Sequence, residues 1–118
     1  MNINDKQWEK LTLAIEKFYL IGPKSRNNRL FIEAVFWVVL YRRGWSRLPV
    51  EFGQWRTNYI RFRRWNESGL WRTLARTEID DQELMSKLEI VANWGEAYLN
   101  HIAEQKKELV HEIIFDNL

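Results

Sequence analysis

Apolar positions in this chain recur every three or four residues nearly throughout, and the alternation that marks a strand is hard to find. Only Pro23 and Pro49 interrupt the pattern and glycines are few, so the chain reads as a string of helices. Asn4, with Gln7 three residues on, can form a capping box for a first helix. The apolar stripe of that helix is Trp8, Leu11, Ile15 and Phe18, and it should end before Gly22 and Pro23. A polar loop over 23–28 leads to a second helix over 29–43. Its Leu30, Ala34, Trp37, Val38 and Tyr41 fall on one side, and Gly44 suits the left-handed position that closes a helix. Pro49 can start a short helix through Val50, Glu51 and Phe52, which Gly53 stops. A fourth helix follows over 54–65, residues 66–69 break the chain, and 70–76 give one or two further turns. A helix, a tight glycine-containing turn and a polar-faced helix is the order of a helix-turn-helix unit.

Past Arg76, Asp80 can cap another helix with Glu83 as its capping-box partner. From there Leu84, Leu88, Val91, Gly95, Tyr98, Ile102, Gln105 and Leu109 alternate at spacings of four and three, a heptad seam weakened at Gly95 and Gln105. Unbroken, this helix approaches about 30 residues, long enough to pair with another helix. Two alternatives stand beside pairing: a break at Asn93, Trp94 and Gly95 into a hairpin, or folding back on the helices before it. The fold class that follows is all-α. A compact helix-turn-helix-like domain over 1–77 precedes a C-terminal helical segment over 78–118.

The fourth helix has two distinct sides. Trp55, Tyr59, Phe62 and Trp65 lie within about 120° of one another around its axis. Arg56, Thr57, Arg61, Arg63 and Arg64 are read as the opposite side. An aromatic stripe that fixes the helix, backed by guanidinium groups, is what a recognition helix in a major groove needs. Ile60 also points outward and fits solvent poorly, so a thymine methyl or a protein should cover it.

Charge sharpens this picture. From Arg42 to Arg76 there are nine arginines and two acids, a formal +7, whereas residues 77–118 carry ten acids against three lysines, a formal −7. The net +2 of the whole chain conceals that asymmetry. A basic centre attracts polyanions, and nucleic acid, whose phosphates release counterions on neutralisation, is the commonest; double-stranded DNA is the expected partner. The candidate DNA contacts are Gln54, Arg56, Thr57, Arg61, Arg63 and Arg64, with Arg43 and Arg47 just upstream. The acidic segment should keep away from phosphate and mediate dimerisation through Leu84, Leu88, Val91, Tyr98, Ile102 and Leu109, or meet a protein partner.

Composition excludes several classes. The chain is one domain by size, with an appended segment at most, and 46% apolar content is enough for a core. No cysteine is present, so no disulfide or thiolate metal site is expected. The longest apolar run, residues 34–41, cannot span a bilayer, and the polar N-terminus is unlike a signal peptide, so a cytoplasmic, nucleoid-associated protein is expected. Glu78, Asp80, Asp81 and Glu83 crowd a helix start, where capping and the helix dipole explain acids better than a metal does. His101 and His111 lack a third ligand at helical spacing, and no serine has a His/Asp arrangement to activate it. No metal, no cofactor and no catalysis are expected.

These residues also carry a family resemblance. Trp8 and Leu11 are followed by Gly44, Trp45, Leu48, Pro49, Phe52, Gly53, Trp55, Thr57, Tyr59, Arg61, Phe62, Arg64, Trp65, Gly69, Trp71 and Leu74. In order and spacing this resembles the N-terminal domain of bacterial insertion-sequence transposases of the DDE class. The resemblance implies a helix-turn-helix-like domain that holds transposon-end DNA. Two departures matter. The loop before the second helix is a shorter KSRNNR, and the segment after Leu74 leaves no room for an RNase H-like nuclease. A domesticated or truncated, non-catalytic DNA-binding regulator is therefore expected. The rival expectation is a protein-interaction module, a transposase inhibitor or a phage or defence adaptor, that keeps the fold without binding DNA.

Overall fold

The capping box at Asn4 forms. Its side chain accepts the Gln7 amide N–H at 2.8 Å, and the Gln7 side chain accepts the Asn4 N–H at 3.2 Å. In this computed structural model, which describes residues 3–17 and 28–116 with side chains through 111, α1 runs Asp5–Glu16 and buries Leu11, Ala14 and Ile15. Phe18, the turn at Gly22 and Pro23, and the loop as far as residue 27 lie outside the described residues. Arg29 ties the start of the next helix back to α1, donating to Asp5 at 2.8 Å and to the Ile3 carbonyl.

Helix α2 (Asn28–Leu40) departs from its expected phase. Phe31, Ile32, Ala34, Val35, Phe36, Val38 and Val39 are all buried, whereas Leu30 and Tyr41, assigned to the apolar side, are exposed. A helix apolar on nearly every side is a core helix, and periodicity alone selects no single face for it. It also ends earlier than expected. Arg42 takes the left-handed conformation (φ 52°), with Arg43 N–H donating to the Val38 carbonyl at 3.0 Å and Arg42 N–H to Val39 at 3.4 Å. That is a Schellman closure with arginine in the place expected of Gly44, which is instead extended.

Two 3₁₀ turns follow, Trp45–Arg47 and Val50–Phe52, and Gly53 ends the second at φ 91°. Then come α3 (Trp55–Glu67) and α4 (Leu70–Arg76), joined at Gly69 in the left-handed region. Their rings build the centre of the core. Trp71 lies 5.0 Å from Trp65 and 6.0 Å from both Phe31 and Phe62, and Phe31 meets Trp65 edge-on at 5.0 Å. Such pairs add about 0.5–1.5 kcal/mol each beyond the area they bury. A satellite cluster of Ala34, Val38 and Leu48 is covered by Trp37, Trp45, Phe52 and Trp55. Trp55, placed by its spacing in the aromatic stripe of α3, is half-buried here.

Helix α5 (Gln82–Asp116) is a single 35-residue rod with no break at Asn93–Gly95. Its cap is Asp81, which accepts the Leu84 N–H at 2.9 Å, and not Asp80, whose carbonyl accepts from Lys10. The first half folds back. Leu84, Leu88, Val91 and Ala92 join α1–α4 in the main core, as does Ile79, so the expected division at 77/78 does not coincide with any break in packing. Leu84, Leu88 and Val91 are 1% exposed or less and therefore cannot serve as a seam between chains. Outside the core, Arg72 of α4 clamps α5 through Glu96 at 2.6 Å and Glu89 at 2.8 Å. The hydrogen bond from Arg72 holds the Glu96 carboxyl below the usual carboxylate range.

Gly95 lets α5 come close to α3 at Asn66. Buried Asn66 donates to the Gly95 carbonyl at 2.7 Å, and a Cβ placed on Gly95 would lie 2.7 Å from Asn66 Cγ. Gly95→Ala should therefore lose about 1–2 kcal/mol in chemical denaturation, overpacking outweighing the gain in helix propensity. In an Asn66→Ala background the sign should reverse, since only the propensity gain of roughly 0.5–1 kcal/mol remains. Stabilisation by Gly95→Ala in the wild-type background would contradict the contact.

Candidate nucleic-acid interface

Helix α3 is positioned from beneath and presents its other side to solvent. Phe62 and Trp65 are buried, and Asn58 locks the N-terminal turn by donating to the carbonyls of Phe52 at 3.0 Å and Gln54 at 3.1 Å. Tyr59 is wedged between Trp45 and Tyr98 and shares a hydroxyl–hydroxyl hydrogen bond with Tyr98. Burial first, then that bond, raises the Tyr59 phenol above its ordinary value. On the outward side Arg56, Ile60 and Arg64 fall at i, i+4 and i+8, with Thr57 beside them, all exposed. Gln54 is exposed at the N-cap, and its side chain makes no capping hydrogen bond.

The upstream arginines meet this helix through the satellite cluster. Arg43 lies over the Trp37 ring at 5.2 Å, and Arg56 lies over Trp55 at 5.3 Å. Both indoles cover the same three buried residues, Ala34, Val38 and Leu48. Arg47 is exposed on the first 3₁₀ turn, immediately before Leu48. The structure thus sets Arg43 and Arg56 on one aromatic support with Arg47 beside Leu48, while Thr57 and Arg64 lie further along the exposed side of α3. Stacking on indoles holds two of the guanidiniums extended before any ligand arrives.

Two expected contacts lie elsewhere. Arg61 is half-buried, placed over Phe31 at 4.4 Å and over Trp65 at 5.4 Å, and it donates to Asn28. It sits at the edge where α2 crosses α3, so it fastens those helices and does not point outward. Arg63 is also half-buried, bonded to Glu67 at 3.3 Å, with Nε buried and unpartnered. Reading the sequence alone did not find Arg42, whose left-handed backbone turns an exposed guanidinium out at the end of α2. No periodicity signals it, because it depends on where α2 stops.

Residues 3–75 match the family described as "Putative transposase of IS4/5 family (DUF4096)". The chain belongs to this family. The match spans α1–α4 and therefore the whole basic surface. The chain is also 34% identical over 73 residues to "Uncharacterized protein y4sN" of Sinorhizobium fredii, covering 58% of this chain and 55% of that relative. The chain thus spans about half the length of the curated relative. No solved structure matches it. Among the described residues no group of three or more His, Cys, Asp or Glu could hold a metal ion, and no helix is long and apolar enough to cross a membrane.

Proposed function

We propose that this transposase-family chain is a non-catalytic duplex-DNA-binding protein that acts as a regulator, with the outward side of α3 in the major groove. The observation that carries the reading is the exposed stripe of Arg56, Thr57, Ile60 and Arg64 on a helix whose opposite side is locked into an aromatic core. Arg56 and Arg64 suit guanine edges or phosphates, Thr57 and Gln54 offer hydrogen bonds to base edges, and Ile60 suits a thymine methyl. Arg43 and Arg47 supply backbone contacts, which set affinity and orientation more than sequence choice.

A salt titration with random duplex tests it. Four phosphate contacts predict a slope of about −3.6 in log K against log salt, on the order of 100-fold weaker binding from 50 to 200 mM. No binding even at about 50 mM salt would sink the proposal. It would favour a second reading, a protein-interaction module, which the 49% exposure of Ile60 on an otherwise polar face supports.

A further inference from the structure

One side of α5 carries Leu84, Leu88, Val91 and Gly95 into the body of the protein, and among the described residues that same side is less covered as it continues past Tyr98. At 100° per residue, Leu99, Ile102, Lys106 and Leu109 extend the buried line, with Val110 beside it. Leu109 and Val110 are 58% and 54% exposed, and Leu99 and Ile102 are covered only in part. Beyond Tyr98 the helix runs 18 more residues to Asp116, about 27 Å. This overhang gives the molecule its 60 Å long axis against 30 and 27 Å. A helical arm of this length gains its stability from packing an apolar face and little from propensity.

We propose that the α5 arm beyond Tyr98 is a self-association element whose occupant is the arm of a second copy of this chain, laid antiparallel. Continuity argues for a helix as the mate, because the uncovered line is the same one that already packs on helices lower down. Charge argues for a like mate. Residues 99–116 hold Glu104, Glu108, Glu112 and Asp116 against Lys106 and Lys107, so the sign does not suit a polyanion, and each arm offers a like arm both acids and lysines to pair. Lys106 in the middle of the line sets direction. Parallel arms would put it against its own copy, whereas antiparallel arms can set Leu99 against Leu109 and let each Lys106 reach past Ile102 to water. The two bodies then sit at opposite ends of one rod. This goes beyond the DNA-binding reading and stands without it.

Sedimentation velocity of the full chain tests it. The wild type should pass from monomer to dimer within about 1–100 µM. Ile102→Glu with Leu109→Glu should weaken that association by more than about 100-fold, with an unchanged near-ultraviolet spectrum, since both positions lie outside the core. A wild-type chain that stays monomeric to about 100 µM overturns the proposal, as does a dimer that survives the double substitution. For direction, the chain lacks cysteine, so Leu99→Cys mixed with Leu109→Cys should give a disulfide-linked heterodimer in preference to either homodimer. Preferred homodimers would overturn the antiparallel arrangement.

Discussion

Trp71→Ala should unfold much of this protein at moderate temperature. The indole is 1% exposed and lies within 6.0 Å of three other rings, those of Phe31, Phe62 and Trp65. Its N–H is directed at the Phe62 carbonyl at 3.4 Å. Removing it forfeits the transfer free energy and leaves a void that rigid neighbouring rings cannot fill. Losses for Trp→Ala in cores run about 3–5 kcal/mol, a large part of the roughly 5–15 kcal/mol that holds a domain folded. A fall in Tm of at least about 10 °C follows. Trp94→Ala is the control, since that indole is 41% exposed on α5 and should cost well under the Trp71 loss. Similar melting of Trp71→Ala and wild type would mean that the ring cluster is not the centre of the fold.

Arg56→Ala with Arg64→Ala should weaken DNA binding by about 2–6 kcal/mol, taking roughly 1–3 kcal/mol for each contact removed. Melting should change little, because both side chains are exposed and, among the described residues, neither enters an ion pair. Arg61→Ala should do the reverse. Losing its place over Phe31 and Trp65 and its bond to Asn28 should lower stability by about 1–3 kcal/mol and leave the salt slope intact. The two variants together separate a guanidinium that faces a ligand from one that fastens helices. A folded Arg56/Arg64 double variant with wild-type affinity would remove α3 from the interface.

The contrast between these arginines shows where sequence reading reached its limit. Local chemistry was legible: the Asn4/Gln7 box, the stop at Gly53, and the Phe62/Trp65 side of α3 all follow from residues a few positions apart. Arg61 was not legible, because its role depends on α2 crossing at that point, and a polar residue at the edge of a helical wheel looks the same whether it stacks or dangles. The end of α2 was hidden by its own apolarity, since a run from Ala34 to Leu40 offers no polar side to mark the last turn. The heptad of α5 correctly announced a helix that packs. It could not say against what, and for Leu84, Leu88 and Val91 the answer is this chain's own core.

Gly95 has a mechanical consequence. It is the sole glycine in α5, and it sits where Asn66 leaves no room for a side chain. Sliding the rod by one turn in either direction would bring Val91 or Leu99 to that notch, and either would strike Asn66. The helix is therefore indexed like a pawl in a single tooth. Ratcheting by a turn, one of the common ways a long helix carries a signal between its ends, is closed to it. Whatever α5 transmits must travel as a tilt of the whole rod about this point, or not at all.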